Sequence, residues 1–355
     1  MENFQNLYSE TDVLIDRKER IGKGIFGEVY KATIRKSNKR VAVKIILEDK
    51  KYKDREISIM QELNHPNIIK LYSSYNTISY QIKNNDKIYH NIIMEYMPQT
   101  LSKILIFNLK NKFHLPLIII KLLSFQLLKS LGYLKSLNII HRDIKTENIL
   151  INPFDFTLKI CDFGNAKHLN LNENNSFYVC NRYYRAPELI LGSREYKYEI
   201  DMWSAGCVIC QLVTNYPLFM GKNSRMQLIE IIKILGSPNE HQLKEMNPKI
   251  NFKNKFPLIY PRDWKSIFHN KINDENFFDL ISKILVYEPN KRIQPYEALL
   301  HPFFDDLKNN KFFTFNGKNI SYPNHLFIFN QFEYKNNKEN IEKLMNQVHN
   351  SININ

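Results

Sequence analysis

The hydrophobic period of this chain changes once, near Pro98. Before it, IGKGIFGEVYKATIRKSNKRVAVKIIL, starting at Ile21, alternates β-branched and polar residues around turn residues, which predicts a hairpin of strands. One helix interrupts the strands: over residues 52–63, YKDREISIMQEL spaces Ile57, Met60 and Leu63 as one helix face. Strands resume in LYSSY and NIIMEYM. After Pro98 the period is helical over residues 115–137, 200–213 and 224–235. The pattern predicts an α+β protein, with a small β-rich lobe and one helix over residues 16–97 and a larger, mostly helical lobe over 98–305. An N-terminal extension covers 1–15. A tail covers 306–355, and its Asn/Lys-rich end is expected to be partly disordered, because it has little apolar surface to offset its ordering entropy.

Composition narrows the class. The 355 residues are 43% hydrophobic, enough to bury a full core. The longest apolar run, LPLIIIKLLSFQLL at 115–128, is broken by Lys121 and is shorter than the roughly 18 residues of a membrane span. It reads as a buried helix. The first residues lack a basic start and apolar core, and Glu2 excludes N-myristoylation, so a cytoplasmic and also nuclear location is the expectation. Cys207 and Cys210 form a lone CxxC without a second ligand pair, which predicts two core thiols rather than a zinc site. The net charge of +14 admits nucleic acid, an anionic surface or acidic substrates as partners. Lys/Asn-rich stretches such as KNNDK and KNNKENIEK read as solvated segments rather than a binding patch, so neither membrane nor direct nucleic-acid binding is expected.

The run Gly22-Lys23-Gly24-Ile25-Phe26-Gly27-Glu28-Val29 fits GxGxxGxV between two strands, where missing Cβ atoms let backbone approach phosphates. A glycine-rich hairpin is also a common turn, so its context decides. Lys44, in Val41-Ala42-Val43-Lys44, follows at the distance expected of a strand lysine that pairs with α- and β-phosphates, and Glu56 on the next helix is placed to hold it. Then come His141-Arg142-Asp143-Ile144-Lys145-Thr146-Glu147-Asn148, Asp162-Phe163-Gly164 and Ala186-Pro187-Glu188. Chance does not order five such motifs.

The set resembles the eukaryotic protein kinases over about residues 16–305. The resemblance implies a bilobal protein-kinase fold, with ATP and Mg²⁺ as cofactors and proteins as substrates. Phosphoryl transfer needs charge neutralised and two oxygens aligned. Asp162 and Asn148 would offer the oxygen ligands Mg²⁺ prefers, Asp143 would orient the substrate hydroxyl and accept its proton, and Lys145 would reach the transferring phosphate. A lysine there marks serine/threonine specificity in this family. Met94, Glu95, Tyr96 and Met97 resemble the hinge that binds adenine, with Met94 as gatekeeper. The nucleotide pocket would be completed by Ile21, Gly22, Lys23, Gly24, Ile25, Phe26, Gly27, Val29, Ala42 and Lys44. Asp201 resembles the aspartate that secures the catalytic loop, Glu188 and Arg292 a buried ion pair, and Cys161 reads as a small buried spacer.

A narrower resemblance, to the glycogen synthase kinase 3 (shaggy-like) family, rests on the run from Tyr178 to Glu188, on DMWSAGCV, IIKILGSPN and EMNP, and on KDREISIMQELNHPNIIKL, HPFFDDL and LFIFN. It implies that Arg55, Arg142 and Lys167 gather to bind a phosphate already on the substrate, four residues C-terminal to the target. It implies autophosphorylation of Tyr178, with Arg182 and Arg185 as partners, and scaffold binding over residues 229–254, where INFKNKFPLIYPRDW diverges. Thr146-Glu147 replaces Pro-Gln, Asn165 replaces Ser, and the N-terminus has no Arg-rich segment with a regulatory serine. Ser176 stands where the family has an apolar residue and gives Ser176-Phe177-Tyr178 the form of a MAP-kinase lip. Two other readings follow: a MAP-like kinase activated by an upstream enzyme at Ser176 and Tyr178, and a pseudokinase scaffold, which the intact Lys44, Asp143, Asn148 and Asp162 oppose.

Overall fold

The structure is a computed structural model that describes residues 7–24, 27–47, 55–79, 87–169, 175–250 and 257–352. The N-terminal lobe is a five-stranded antiparallel sheet in the order β1-β2-β3-β5-β4. Its strands are β1 (Val13–Gly24), β2 (Gly27–Ile34), β3 (Arg40–Leu47), β4 (Leu71–Ser79) and β5 (Lys87–Glu95). β2 shows the period-2 alternation that drives it into a sheet: Tyr30, Ala32 and Ile34 are buried and the residues between them are not. β1 starts at Val13, inside the span expected to be an extension, because Val13 is buried and pairs with Ile34. The register sets Val29 opposite Lys44 and Ala42 opposite Met94. α1 (Arg55–Glu62) buries Ile59 and Met60 and leaves Arg55 exposed at its first position.

The second lobe begins with β6 (Gln99–Thr100), α2 (Leu101–Asn111) and α3 (Leu117–Ser136). α3 is long and apolar enough to cross a membrane, but 89% of its apolar stretch is buried, so that surface is spent on the core. The short strands β7 (Ile139–Ile140), β8 (Ile149–Ile151), β9 (Leu158–Ile160) and β10 (Lys167–His168) pair as β10-β7 and β6-β8-β9, and they carry the loops of the site. α4 (Pro187–Ile190), α5 (Glu199–Thr214), α6 (Ser224–Leu235), α7 (Glu240–Met246), α8 (Trp264–Phe268), α9 (Glu275–Ile284), α10 (Pro295–Leu299) and α11 (Asp305–Asn309) complete the helical lobe. α5 is buried over nearly its whole length, with Trp203 stacked on Phe219 (5.8 Å between centroids). Cys207 and Cys210 are buried free thiols inside it, and no cluster of three His, Cys, Asp or Glu suited to a metal occurs among the described residues.

The tail departs from expectation. After the hairpin β11 (Phe312–Phe315) and β12 (Lys318–Ser321), residues Gln331–Ile352 form α12, where partial disorder was expected. The reason is a narrow apolar seam, Ile341, Leu344 and Val348, which is buried although the helix is otherwise polar. α12 packs on α3, α10 and α11. In the span expected to bind a scaffold, residues 229–235 lie in α6 and 240–246 in α7, while 251–254 lie outside the described residues.

Candidate active site

The sheet delivers the phosphate-facing groups. Gly24 pairs with Gly27 across the hairpin tip; Ile25 and Phe26, expected to contribute to the nucleotide pocket, lie outside the described residues. Gly27 has φ +150°, and a Cβ on it would sit 2.2 Å from the Ile45 carbonyl oxygen, so no side chain fits. Gly22 lies beside the Val29 side chain, and Ile21, Lys23 and Val29 belong to the same two strands. Ala42 and Met94 are buried on paired strands. Beyond Met94, Glu95 N–H donates to the Lys70 carbonyl (2.9 Å) and its carboxylate meets Lys159 (3.1 Å), so the Glu95 side chain is spent on scaffold. Tyr96 and Met97 lead from there into the second lobe.

Lys44, buried on β3, donates to both Glu56 oxygens (2.7 and 2.8 Å) and to Asp162 Oδ1 (2.9 Å). Burial alone would lower the lysine pKa, but Glu56 and Asp162 outweigh it and hold the ammonium above its ordinary value. Burial likewise pushes the Asp162 carboxyl up, and Lys44 more than cancels it, leaving that pKa below the ordinary range. The three groups form a charged contact joining β3, α1 and the DFG segment. Asp162 takes it with φ +65°, a conformation non-glycine residues rarely adopt and one that recurs at functional sites. Cys161 next to it is packed against the core, and burial pushes its thiol well above the ordinary value, which leaves little thiolate to react.

Asp143 is fixed from several sides. Its carboxylate accepts from Lys145 Nζ (2.6 Å), Asn148 Nδ2 (3.0 Å) and Asn181 N–H (3.2 Å). Asn148 Nδ2 also donates to the Asp143 carbonyl (2.9 Å), which commits the amide nitrogen and leaves its oxygen as the end suited to a cation. The loop is held from below by Asp201, whose oxygens accept the consecutive N–H groups of His141 and Arg142 (2.7 and 2.9 Å). Such anchoring lets Arg142 keep φ +64°. Glu188 and Arg292 make a bidentate buried pair, 2.7 Å in each bond. An Asn amide oxygen and an Asp carboxylate beside a lysine-neutralised cleft are the hard oxygen donors a divalent metal takes.

Of the three cations expected to gather, Arg142 and Lys167 lie on neighbouring segments and Arg55 is exposed at the start of α1. Arg142 Nε donates to the Asn165 carbonyl (2.6 Å) and its Nη1 to Tyr196 Oη (3.3 Å). Lys167 Nζ donates to Asn175 Oδ1 (2.9 Å). Tyr196 Oη in turn donates to the Ser176 carbonyl (2.6 Å), which places Ser176 between the two cation-bearing segments with its side chain exposed. Tyr178 is 73% exposed, and the Arg185 guanidinium lies over its ring at 4.8 Å. Arg182, expected as a second partner for a phosphate on Tyr178, donates to the Gly221 and Lys222 carbonyls. Asn175 and Tyr196 were invisible to motif reading, since neither lies in a contiguous signature and only folding brings them to the cations.

The protein kinase domain family matches residues 15–304. The chain is 41% identical over 317 residues to "Protein kinase gsk3" of Schizosaccharomyces pombe, which covers 88% of this chain and 81% of the relative. It is 42% identical over 289 residues to "Glycogen synthase kinase 1" of Pyricularia oryzae, covering 81% and 72%. With the bilobal fold, the Lys44–Glu56–Asp162 contact and the anchored catalytic loop, these matches show that the chain belongs to the protein kinase family, in its glycogen synthase kinase 3-like branch, and is a serine/threonine protein kinase.

Proposed function

We propose that this kinase uses MgATP and prefers protein substrates that already carry a phosphate four residues C-terminal to the acceptor. The nucleotide supplies the transferable phosphoryl group and Mg²⁺ neutralises its charge; the chain's own residues bind and orient. Lys44 meets the phosphates while Glu56 keeps its ammonium in place. Asp162 and the Asn148 amide oxygen hold the metal. Asp143 aligns the acceptor hydroxyl and takes its proton, and Lys145, already at the Asp143 carboxylate, lies where it can neutralise the transferring group.

The observation that carries the priming reading is that the buried Arg142 guanidinium, on the segment that pairs beside Lys167, donates to a carbonyl and a phenol, both uncharged. A phosphate dianion is a better partner than either of these, because both bonds become charge-assisted. The full-length protein tests this with Lys167→Ala and Arg55→Ala. Each is expected to narrow the ratio of kcat/KM on primed against unprimed peptide by about tenfold, the worth of one charge-assisted contact. A ratio unchanged in both variants refutes the assignment of these residues.

In the same reading Tyr178 is autophosphorylated. Its exposure and the Arg185 guanidinium over its ring suit a phosphate there. The MAP-like alternative draws on one observation, the exposure of Ser176 and Tyr178 together. Phosphotyrosine at Tyr178 in protein made in bacteria favours autoactivation, and unmodified, inactive protein favours the upstream enzyme. A scaffold protein binding over residues 229–254, and a cytoplasmic and nuclear location, complete the proposal.

A further inference from the structure

The turn after α1 carries a buried polar cluster outside the site described above. Asn64 N–H donates to Tyr133 Oη on α3 (2.9 Å), and the His65 ring stacks on the Tyr133 ring, centroids 4.8 Å apart. His65 Nδ1 accepts the Asn67 N–H (3.1 Å), so in the neutral ring the proton sits on Nε2. That Nε2 is buried without a hydrogen-bond partner among the described residues, and it faces Glu333 Oε1 of the tail at 3.5 Å.

Glu333 is itself 1% exposed and rigidly placed. Tyr296 Oη donates to its Oε1 (2.8 Å) and Asn330 N–H to its Oε2 (2.6 Å), while Glu333 N–H donates back to Asn330 Oδ1 (3.0 Å), a reciprocal cap that starts α12. The segment leading to it has no slack. Lys129, buried in α3, spends its donors on the carbonyls of His325, Leu326 and Ile328 (2.7, 3.2 and 2.6 Å). The tail thus brings a fixed carboxylate to a buried donor three residues beyond the end of α1. Closing the remaining gap needs a shift well under 1 Å, and a buried donor left unmatched is costly.

We propose that Glu333 is a positioning residue for phosphoryl transfer: through His65 it fixes the C-terminal end of α1 and so the approach of Glu56 to Lys44. Glu56 and Glu62 lie less than two turns apart on α1, so displacement at its C-terminal end is carried to Glu56. The inference rests on kinase activity and is independent of substrate priming.

A double-mutant cycle on the full chain separates this from a merely structural role. Glu333→Gln is measured on its own and combined with Glu56→Gln, with melting temperature recorded for each protein. Expected is a five- to tenfold loss in kcat/KM for ATP on the parent background with the peptide KM within twofold, shrinking to less than twofold once Glu56 is absent. The same multiplicative loss on both backgrounds, or parent-like ATP kinetics with a lowered melting temperature, overturns the proposal. Should Glu333→Gln not fold, His65→Leu serves in its place, since it removes the Nε2 donor and leaves the cap and the Tyr296 bond intact, and the same two outcomes decide.

Discussion

At the scale of single residues, backbone conformation separates glycines that a motif treats alike. A Cβ on Gly24 would meet no described residue within 4 Å, whereas one on Gly27 would strike the Ile45 carbonyl at a φ that L-residues avoid. Gly24→Ala is expected to leave the unfolding free energy within about 0.5 kcal/mol of the parent and Gly27→Ala to lower it by about 1–3 kcal/mol, as urea denaturation would show. Equal effects at the two positions would contradict the geometry. Ser176 gives a second residue-scale prediction. Its carbonyl is tied to Tyr196, which contacts Arg142, and its neighbour Asn175 is tied to Lys167. A negative charge at 176 therefore competes with a primed substrate, and Ser176→Glu is expected to raise the Michaelis constant for a primed peptide about fivefold. An unchanged constant sinks that idea.

Among elements, α3 shows how burial converts to pH dependence. Lys129 is enclosed, and burial lowers its pKa to about 8, with Glu333 pulling the other way. The unfolded chain titrates near 10.4, so between about pH 8 and 10.4 the unfolded state binds more protons, and stability rises with pH through that window. Relative to Lys129→Met, the parent is expected to gain on the order of 3 kcal/mol between pH 8 and 10.4. Parallel pH profiles for the two proteins in urea denaturation would contradict this. Elements were otherwise legible to differing degrees. α6 spans Ser224–Leu235, the very residues its period predicts, and α3 and α5 lie within two residues of expectation, because each carries a continuous apolar face. α12 was missed because its seam is one residue wide, and bulk composition drowns it.

For the molecule as a whole, the order of the motifs was enough to assign the lobes and the catalytic loop, since a chain that must align ATP, metal and hydroxyl keeps those residues in contiguous runs. What stayed hidden were contacts made only by folding: Asp201 under His141 and Arg142 was expected by resemblance, but Asn175 on Lys167, Tyr196 between Arg142 and Ser176, and Glu333 facing His65 have no local signature. Of these last three, the first two tie the segment around Ser176 to Lys167 and Arg142, and the third ties the tail to the turn after α1. Selectivity is expected because Arg142, next to the catalytic aspartate, spends its guanidinium on neutral groups that a phosphate dianion would outcompete. The most direct measurement is a steady-state assay of the purified full-length protein with MgATP on two peptides that differ only by a phosphoserine four residues C-terminal to the acceptor, with Asp143→Asn as the inactive control. The account predicts phosphate on serine or threonine, kcat/KM at least tenfold higher on the primed peptide, and a loss of about a hundredfold or more in the control. Equal rates on the two peptides, or a control as active as the parent, would contradict it.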